Sequence, residues 1–335
     1  MSTNTKIEYA DATINWWAGC TQISPACDNC YAKPFAKRLF GVDWGTDAPR
    51  RQFQGAYASL MALDRKAKRL GRQLVVFHNS LSDFFDNTVP VQWRYAAMGG
   101  IVDTPNLIHL LVTKRIGNAA AMLEQAFRAV TSQREGWADN VLPNVWLIAT
   151  ISNQAEADRD ITKLLATPAA KRGLSMEPLL GPVSLRWLAA FPENAPTTAQ
   201  HPSGITNHLD GLRRLDWVIV GANARPMHPD WVRNLRDECQ EAGVPFFFKQ
   251  WGEWLPGQNE MHAIGRKVAH HQDGSWGATE TKITPTNYVS WDESGRMHLG
   301  TLFDKPFRLK AWAERVGKKA AGRLLDGRTW DEVPA

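Results

Sequence analysis

Three of the four cysteines in the 335-residue chain lie close together near its beginning, in the segment ATINWWAGCTQISPACDNCYA. They are Cys20, Cys27 and Cys30, and their spacing is C-x6-C-x2-C. Thiolates are soft ligands that bind zinc, copper(I) or iron-sulfur clusters, and a separation of two residues lets two of them reach one centre. The first hypothesis is therefore that these cysteines share a metal.

The number of ligands separates two kinds of metal site. A structural zinc site needs four protein ligands, so it would require a histidine or Cys239 in addition. Cys239 lies at helical spacing with Val232 and Leu235, which predicts a small core residue rather than a ligand. An iron-sulfur cluster held by only three cysteines leaves one iron open to a substrate or cofactor, as catalytic metals require. Both kinds of site remain open at this point.

Composition limits the class of protein. With 44% hydrophobic residues, the chain can bury one large core, which excludes a disordered or fibrous protein. No run of about 18 apolar residues is present, and the first 15 residues lack the apolar segment of a signal peptide. We therefore expect a cytoplasmic protein that does not bind membranes, in a compartment that keeps thiols reduced.

Charge and aromatic content allow a nucleic-acid partner without requiring one. Lys and Arg number 39 against 34 Asp and Glu, a net charge of +5. Fifteen tryptophans are present, many of which we expect in the core, while exposed ones beside positive charge would suit base stacking. The sequence does not predict an oligomeric state.

Short apolar segments alternate with helical patterns along most of the chain. Strands are predicted at 14–17, 74–80, 106–115, 145–153, 172–178, 215–223 and 244–252. This alternation, with polar residues at the carboxyl ends of the strands, favours an α/β fold, a partial TIM-type (β/α) barrel of six or seven parallel strands. The cysteine segment follows the first of these strands, so it is expected at the mouth of the barrel.

Two regions interrupt the alternation. Residues 183–214 include a stretch containing Pro, Thr and His, which is predicted to be a surface insertion or a lid. Residues 253–335 show weaker periodicity and end in a basic segment, predicted as a helix over about 305–325. We therefore divide the chain into a barrel, 1–252, and a C-terminal cap that packs on it, 253–335.

Several segments together resemble a known family. They are TINWWAGCTQISPACDNCYA, SLSDFF, LLVTKR, SMEPLLGP, ARPMHPDWVRNLRDECQEAGVPFFFKQWG and AGRLLDGRTWDEVP. The chain is similar from Glu8 to Pro334 to the phage-type three-cysteine-motif proteins, which are regarded as radical-SAM-like and whose reaction is unassigned. The resemblance implies a partial TIM barrel whose cluster loop follows the first strand. It further implies a [4Fe-4S] cluster on Cys20, Cys27 and Cys30.

In the wider radical SAM class, S-adenosylmethionine (SAM) binds at the open iron, and electron transfer into its sulfonium generates a 5′-deoxyadenosyl radical. The present sequence departs from these relatives in two places. Gly221 and Ala222 run into Asn223, Ala224 and Arg225, where the family carries a GGESG-like turn. The cysteine spacing also differs from the usual C-x3-C-x2-C, and Asn29 replaces the aromatic residue before the last cysteine.

The strand ends supply candidate site residues. Ser80, Ser82 and Asp83 follow the second strand, where this class of barrel meets the amino and carboxylate groups of SAM, although they would also suit a helix cap. Lys114 and Arg115 suit a carboxylate or phosphate or, equally, a solvated strand end. The full set of predicted cofactor contacts is Ser80, Ser82, Asp83, Thr113, Lys114, Thr150, Ser152 and Asn223.

Glu177 and Lys249 are the predicted catalytic residues. Each ends an apolar strand, where a carboxylate can act as an acid, a base or a ribose ligand and a lysine can point into the mouth. His78 and His109 lie inside apolar strands and are expected to be hydrogen-bonded core residues rather than metal ligands.

Three functions follow as hypotheses. The first is an iron-sulfur, SAM-dependent radical enzyme acting on a nucleotide or nucleic acid, which would need an electron donor such as a reductase or a flavodoxin-like protein. The second is a non-catalytic protein that binds nucleic acid or a partner and holds a structural zinc or cluster. The third is a cluster-containing enzyme that works without SAM or by hydrolysis.

Overall fold

The fold is described from a computed structural model of the full chain. It describes residues 5–131, 136–186, 188–189, 208–257, 260–263, 266–270, 276–278, 288–292, 294–299 and 309–335. Most of the predicted insertion at 183–214 falls on residues 187 and 190–207, which lie outside the described residues. The predicted division of the chain after residue 252 stays a prediction.

The helices and strands are numbered in chain order. The strands are β1 (Ala12–Ile14), β2 (Trp17–Ala18), β3 (Arg51–Gln52), β4 (Leu74–His78), β5 (Leu107–Thr113), β6 (Val145–Thr150), β7 (Lys171–Met176), β8 (Leu188–Ala189), β9 (His208–Leu209), β10 (Trp217–Gly221), β11 (Phe246–Gln250), β12 (Trp254–Pro256), β13 (Glu260–Ala263), β14 (Arg266–His270), β15 (Trp276–Ala278), β16 (Tyr288–Asp292), β17 (Met297–Leu299) and β18 (Leu309–Arg315). The helices are α1 (Ala32–Phe40), α2 (Ala56–Leu70), α3 (Val91–Val102), α4 (Ile116–Val130), α5 (Gln154–Ala166), α6 (Pro229–Ala242) and α7 (Lys318–Ala321).

Seven parallel strands form the central sheet, in the order β1-β4-β5-β6-β7-β10-β11. The sheet curls into a half-barrel with helices on its outer face. The predicted partial (β/α) barrel is therefore confirmed. Strands β6 and β10 are buried along their whole length, which explains their nearly uninterrupted apolar sequences.

Two apolar layers lie on opposite faces of this sheet. The larger one joins the sheet to the surrounding helices. The smaller one is rich in aromatic residues and includes Tyr9, Trp146, Trp217 and Phe247. The Trp217 ring makes edge contacts with the other three rings at centroid distances of 5.6 to 6.1 Å. Tryptophan thus serves here to fill the concave side of an open barrel.

The remaining strands are short and antiparallel, and they include a four-stranded sheet of order β12-β18-β16-β17. The helix predicted at about 305–325 is wrong, because β18 occupies Leu309–Arg315 and, among the described residues 309–325, helix is confined to Lys318–Ala321. Strand β18 pairs with both β12 and β16, and its Trp312 and Ala313 are buried. Tertiary pairing here outweighs the local preference of a sequence rich in Ala, Lys and Glu for a helix.

The last residues of the chain lie along the barrel edge strand β11. The Phe248 amide donates to the Trp330 carbonyl at 2.8 Å, and the Phe246 amide donates to the Glu332 carboxylate at 2.9 Å. The Trp217 indole donates to the Glu332 carbonyl at 2.8 Å. These bonds occupy an edge that would otherwise present unpaired amides to other chains.

His78 and His109 form a buried hydrogen-bonded chain in the core, as the sequence predicts. The Trp16 indole, which can only donate, bonds His78 Nδ1 at 3.1 Å, so His78 Nε2 carries the proton and donates to His109 Nδ1 at 2.9 Å. His109 Nε2 then donates to the Thr104 carbonyl at 3.3 Å. Burial lowers the pKa of His109 to about 4 and that of His78 well below its usual value.

This pair predicts that the protein loses stability in mild acid. Below pH about 6.5 the unfolded chain protonates both histidines, while the folded chain keeps His109 neutral down to a pKa of about 4. The free energy of unfolding should therefore fall as the pH falls through this window, by about 1.4 kcal/mol per pH unit for each histidine. Urea unfolding between pH 7.5 and 4.5 measures the slope.

A His109→Gln variant supplies the control, because glutamine keeps polar groups at the site but does not titrate in this range. The pH dependence of its unfolding free energy should be about half that of the parent. An equal slope in both proteins would show that other groups cause the acid sensitivity.

None of the helices in the described ranges combines the length and the apolar character needed to cross a membrane.

Candidate functional site

The cysteine loop lies at the carboxyl end of the half-barrel, between β1 and α1. Ser24 caps a short 3-10 turn, Pro25–Cys27, by accepting from the Ala26 amide at 3.0 Å, and Cys30 immediately precedes the first turn of α1. Cys20, Cys27 and Cys30 form no disulfide and are each partly exposed. Three free thiols are thereby presented on one loop at the mouth of the barrel.

These thiols suit a soft metal by their chemistry, their redox state and their place in the fold. Across the described residues, no group of three or more His, Cys, Asp or Glu side chains is already gathered around a point that could hold a metal ion. Three thiols on one loop are the donor set that the predicted three-cysteine cluster requires, and that cluster stays a prediction.

Arg115 connects the cysteine loop to the end of β5. Its guanidinium donates to Cys20 Sγ at 3.4 Å and to the Thr21 carbonyl at 2.8 Å. Burial raises the pKa of the Cys20 thiol to about 11, although the Arg115 charge acts in the opposite direction. A guanidinium at this sulfur would stabilise the thiolate once a metal has displaced its proton.

Asp83 holds Arg115 in place. The two side chains form a buried ion pair at 3.2 Å, with only 7% of the Asp83 side chain and 10% of the Arg115 side chain exposed. Both Asp83 oxygens also accept hydrogen bonds, one from the Thr113 hydroxyl at 2.7 Å and the other from the Lys114 amide at 3.0 Å. Asp83 thus ties β5 to the cysteine loop, and its predicted contact with SAM stays a prediction.

Two further arginines hold the same loop. Arg50 forms a buried ion pair with Asp86 at 2.8 Å and donates to the Thr21 hydroxyl at 2.8 Å. Arg225, from the turn after β10, donates to the Pro25 carbonyl at 2.6 Å across the mouth. The loop is therefore held by arginines from both sides, and one of them lies in the turn where the sequence departs from GGESG.

Glu177 and Lys249 meet at the ends of β7 and β11. The Lys249 ammonium lies 2.6 Å from a Glu177 oxygen, and the Tyr9 hydroxyl donates to the other oxygen at 3.1 Å. Burial disfavours the charge on Lys249, but the Glu177 carboxylate outweighs burial and raises the pKa of this lysine. Both predicted catalytic residues are thus brought together as one charged pair.

Gly221 at the end of β10 leaves room for this pair. A Cβ atom at residue 221 would lie 3.3 Å from Lys249 Cβ and 3.4 Å from Glu177 Oε2. A side chain there would press on both partners, so the absence of one lets the pair sit against the strand.

The other predicted cofactor residues make local contacts. The Ser80 hydroxyl bonds Asn15, and Ser82 donates to the Trp17 carbonyl at 2.9 Å. The Ser152 hydroxyl donates to Glu156 at 2.6 Å, and Asn223 accepts from the Arg225 amide at 2.9 Å.

Thr150 and Lys114 complete the predicted set. Thr150 is buried at the end of β6. Within the described residues, no hydrogen bond or ion pair engages the half-buried Lys114 ammonium. The structure therefore gathers the predicted residues around one mouth, and their contacts with a cofactor stay predictions.

Cys239 lies apart from the loop, fully buried in α6 within the main apolar layer. The prediction that it is a small core residue is confirmed.

Sequence reasoning missed how the cysteine loop is held. The sequence assigns Arg50, Arg225 and Tyr9 no part in the site, and it predicts Arg115 as an anion ligand or a solvated strand end, not as a contact of the cysteine loop. Their contacts join positions 29 to 200 residues apart, which no local pattern reveals. One signal is present in the sequence, because Arg115 is the last residue of a predicted strand whose carboxyl end is expected at the same mouth as the cysteine segment.

Comparison with known proteins gives a family but no activity. The family described as "Protein of unknown function (DUF5131)" matches residues 4–334, nearly the whole chain. No curated protein matches the chain, and no solved structure does. The half-barrel and its cysteine loop both lie within the matched residues, and the chain therefore belongs to the DUF5131 family.

Proposed function

We propose that this protein is a cytoplasmic iron-sulfur enzyme that uses SAM in radical chemistry, with a nucleotide or nucleic acid as substrate. The observation that carries the proposal is the placement of three free thiols on one loop at the carboxyl end of a parallel half-barrel. Active sites of such barrels lie on that face. The resemblance to radical-SAM-like proteins supports the same reading.

A [4Fe-4S] cluster with bound SAM would supply one-electron cleavage of a carbon-sulfur bond, with the electron coming from a reductase or flavodoxin-like donor. Cys20, Cys27 and Cys30 would hold it as thiolates. Arg115 would offset their negative charge at Cys20, and Arg225 would hold the loop at Pro25 from the opposite side. The arginines thereby orient the ligands without binding the metal themselves.

Glu177, Lys249 and Tyr9 supply proton-transfer groups at the same mouth. Glu177 raises the pKa of Lys249, so the ammonium stays charged and can donate a proton or bind an anionic group, and the Glu177 carboxyl oxygens lie where they can accept a proton. Burial and the Glu177 charge raise the pKa of the Tyr9 hydroxyl, so it keeps its proton and orients the carboxylate by donating to it. This arrangement suits a polar, charged substrate better than an apolar one.

The test is to purify the protein without oxygen and measure its iron, sulfide and zinc. We expect iron and sulfide in equal amounts, a reduced-state EPR signal that changes when SAM is added, and 5′-deoxyadenosine formation under reducing conditions. Stoichiometric zinc without iron would contradict the proposal and favour a structural metal in a binding protein. A cluster that leaves SAM intact would instead favour the SAM-independent or hydrolytic alternative.

A further inference from the structure

Helix α1 carries its large apolar side chains on its outer face. Tyr31, Phe35 and Leu39, spaced four residues apart, are 64%, 39% and 52% exposed. The fully buried residues of the helix are the small Ala32 and Ala36, 3% and 0% exposed, and the last residue, Phe40, is half-buried against the same cluster. An amphipathic helix normally places its large apolar residues inward, so we expect this outward stripe to bind another molecule.

Positive charge lies on the solvent-facing side of the same helix. Lys33, Lys37 and Arg38 are exposed on the same helix, whose sequence AKPFAKRLF contains no acidic residue. The Arg38 guanidinium lies over the Phe35 ring, 5.8 Å from its centroid. Lys37 pairs with the exposed Asp43, whereas Lys33 and Arg38 form no ion pair within the described part of the chain. On the solvent-facing side of the helix the rings therefore lie along one edge with Arg38 beside them, and Lys33 and Lys37 lie along the other edge.

This face begins at the cysteine loop. Tyr31 directly follows Cys30, and its hydroxyl donates to the Ser80 carbonyl at the end of β4 at 3.2 Å. From Tyr31 to Leu39 the stripe extends about 12 Å along the helix, at 1.5 Å per residue. A molecule lying on it would reach the mouth of the half-barrel.

We propose that the α1 face, defined by Tyr31, Lys33, Phe35 and Arg38, binds single-stranded nucleic acid and leads it to the mouth. Bases stack on exposed aromatic rings, while lysine and arginine beside them neutralise phosphates. Charge complementarity favours a polyanion, since the helix has no acid and the chain carries +5. The inference rests on the proposed function for what happens at the mouth, but binding itself needs no cluster.

The experiment measures binding of a fluorescein-labelled 20-nucleotide poly(dT) strand by fluorescence anisotropy. Phe35→Ala should weaken binding about tenfold or more, because a stacked base is lost. Lys33→Gln combined with Arg38→Gln should lower the slope of log K against log salt by about 1.4, corresponding to two lost phosphate contacts. Tyr57→Ala and Lys68→Gln, an exposed ring and an exposed cation on α2, serve as matched controls and should bind normally.

Each outcome decides the matter. Loss of affinity in the α1 variants alone supports the proposal, whereas equal affinity in all variants, or no binding by the parent, overturns it. Binding of a flavodoxin that depends on Phe35, without binding of DNA, would make this face a protein-docking surface instead. Repeating the titration with Cys27→Ala separates the two proposals, since DNA binding that survives loss of iron stands independently of the cluster.

Discussion

Replacing Cys27 with alanine is expected to abolish iron binding, from about four iron atoms per chain to nearly none. A cluster held by three thiolates has no spare protein ligand, so the loss of one leaves two irons with open positions and the cluster falls apart. Iron and sulfide analysis after anaerobic reconstitution measures the effect, together with the brown absorbance.

Cys239→Ala is the matched control, because it removes a thiol of the same kind from the core of α6 rather than from the loop. Its iron content should equal that of the parent, while its stability should fall modestly through the lost packing. Equal iron loss in both variants would show that the cysteine loop is not the metal site. Retention of iron by Cys27→Ala would do the same.

Replacing Asp83 with alanine is expected to lower the free energy of unfolding by about 3 to 5 kcal/mol. The substitution leaves the buried Arg115 without its ion-pair partner and removes the acceptor for the Thr113 hydroxyl and the Lys114 amide. That loss is a large share of the stability of a typical domain. Urea unfolding at neutral pH, compared with the parent, measures it.

Ser82→Ala provides the neighbouring control, since it removes one neutral hydrogen bond to the Trp17 carbonyl and should cost only about 1 kcal/mol. A double variant, Asp83→Ala with Arg115→Ala, should be less destabilised than the sum of the two single variants, because the unpaired charge is gone. Additive losses would argue that Asp83 and Arg115 do not act as a pair.

The barrel strands illustrate what local sequence can specify. Strands such as β6 are short, apolar and followed by a helix, and this pattern depends only on neighbouring residues and their burial. The prediction of a helix at 305–325 is wrong for the opposite reason. Strand β18 is stabilised by its pairing with β12 and β16, and its own residues do not indicate a strand. A strand that forms because of partners distant in the chain need not show a local hydrophobic periodicity from which it could be predicted.

Some features of the candidate site can likewise be predicted from the sequence, and others cannot. The spacing of Cys20, Cys27 and Cys30, their position after the first strand, and the placing of Glu177 and Lys249 at strand ends were all readable from the sequence, because parallel strands bring their carboxyl ends to one edge. That Lys249 pairs with Glu177 at 2.6 Å was not readable, since strand order and the curvature of the sheet set that distance.

The cysteine loop shows the same limit most clearly. Residue types and strand periodicity, which are local properties, are enough to predict a set of thiols at the mouth of an α/β half-barrel. The convergence of Arg50, Arg115 and Arg225 on this loop, and the role of Asp83 in holding Arg115, depend on how the folded strands are arranged in space. The reason is physical: a buried guanidinium needs a partner in space, and the fold brings that partner from a distant part of the chain.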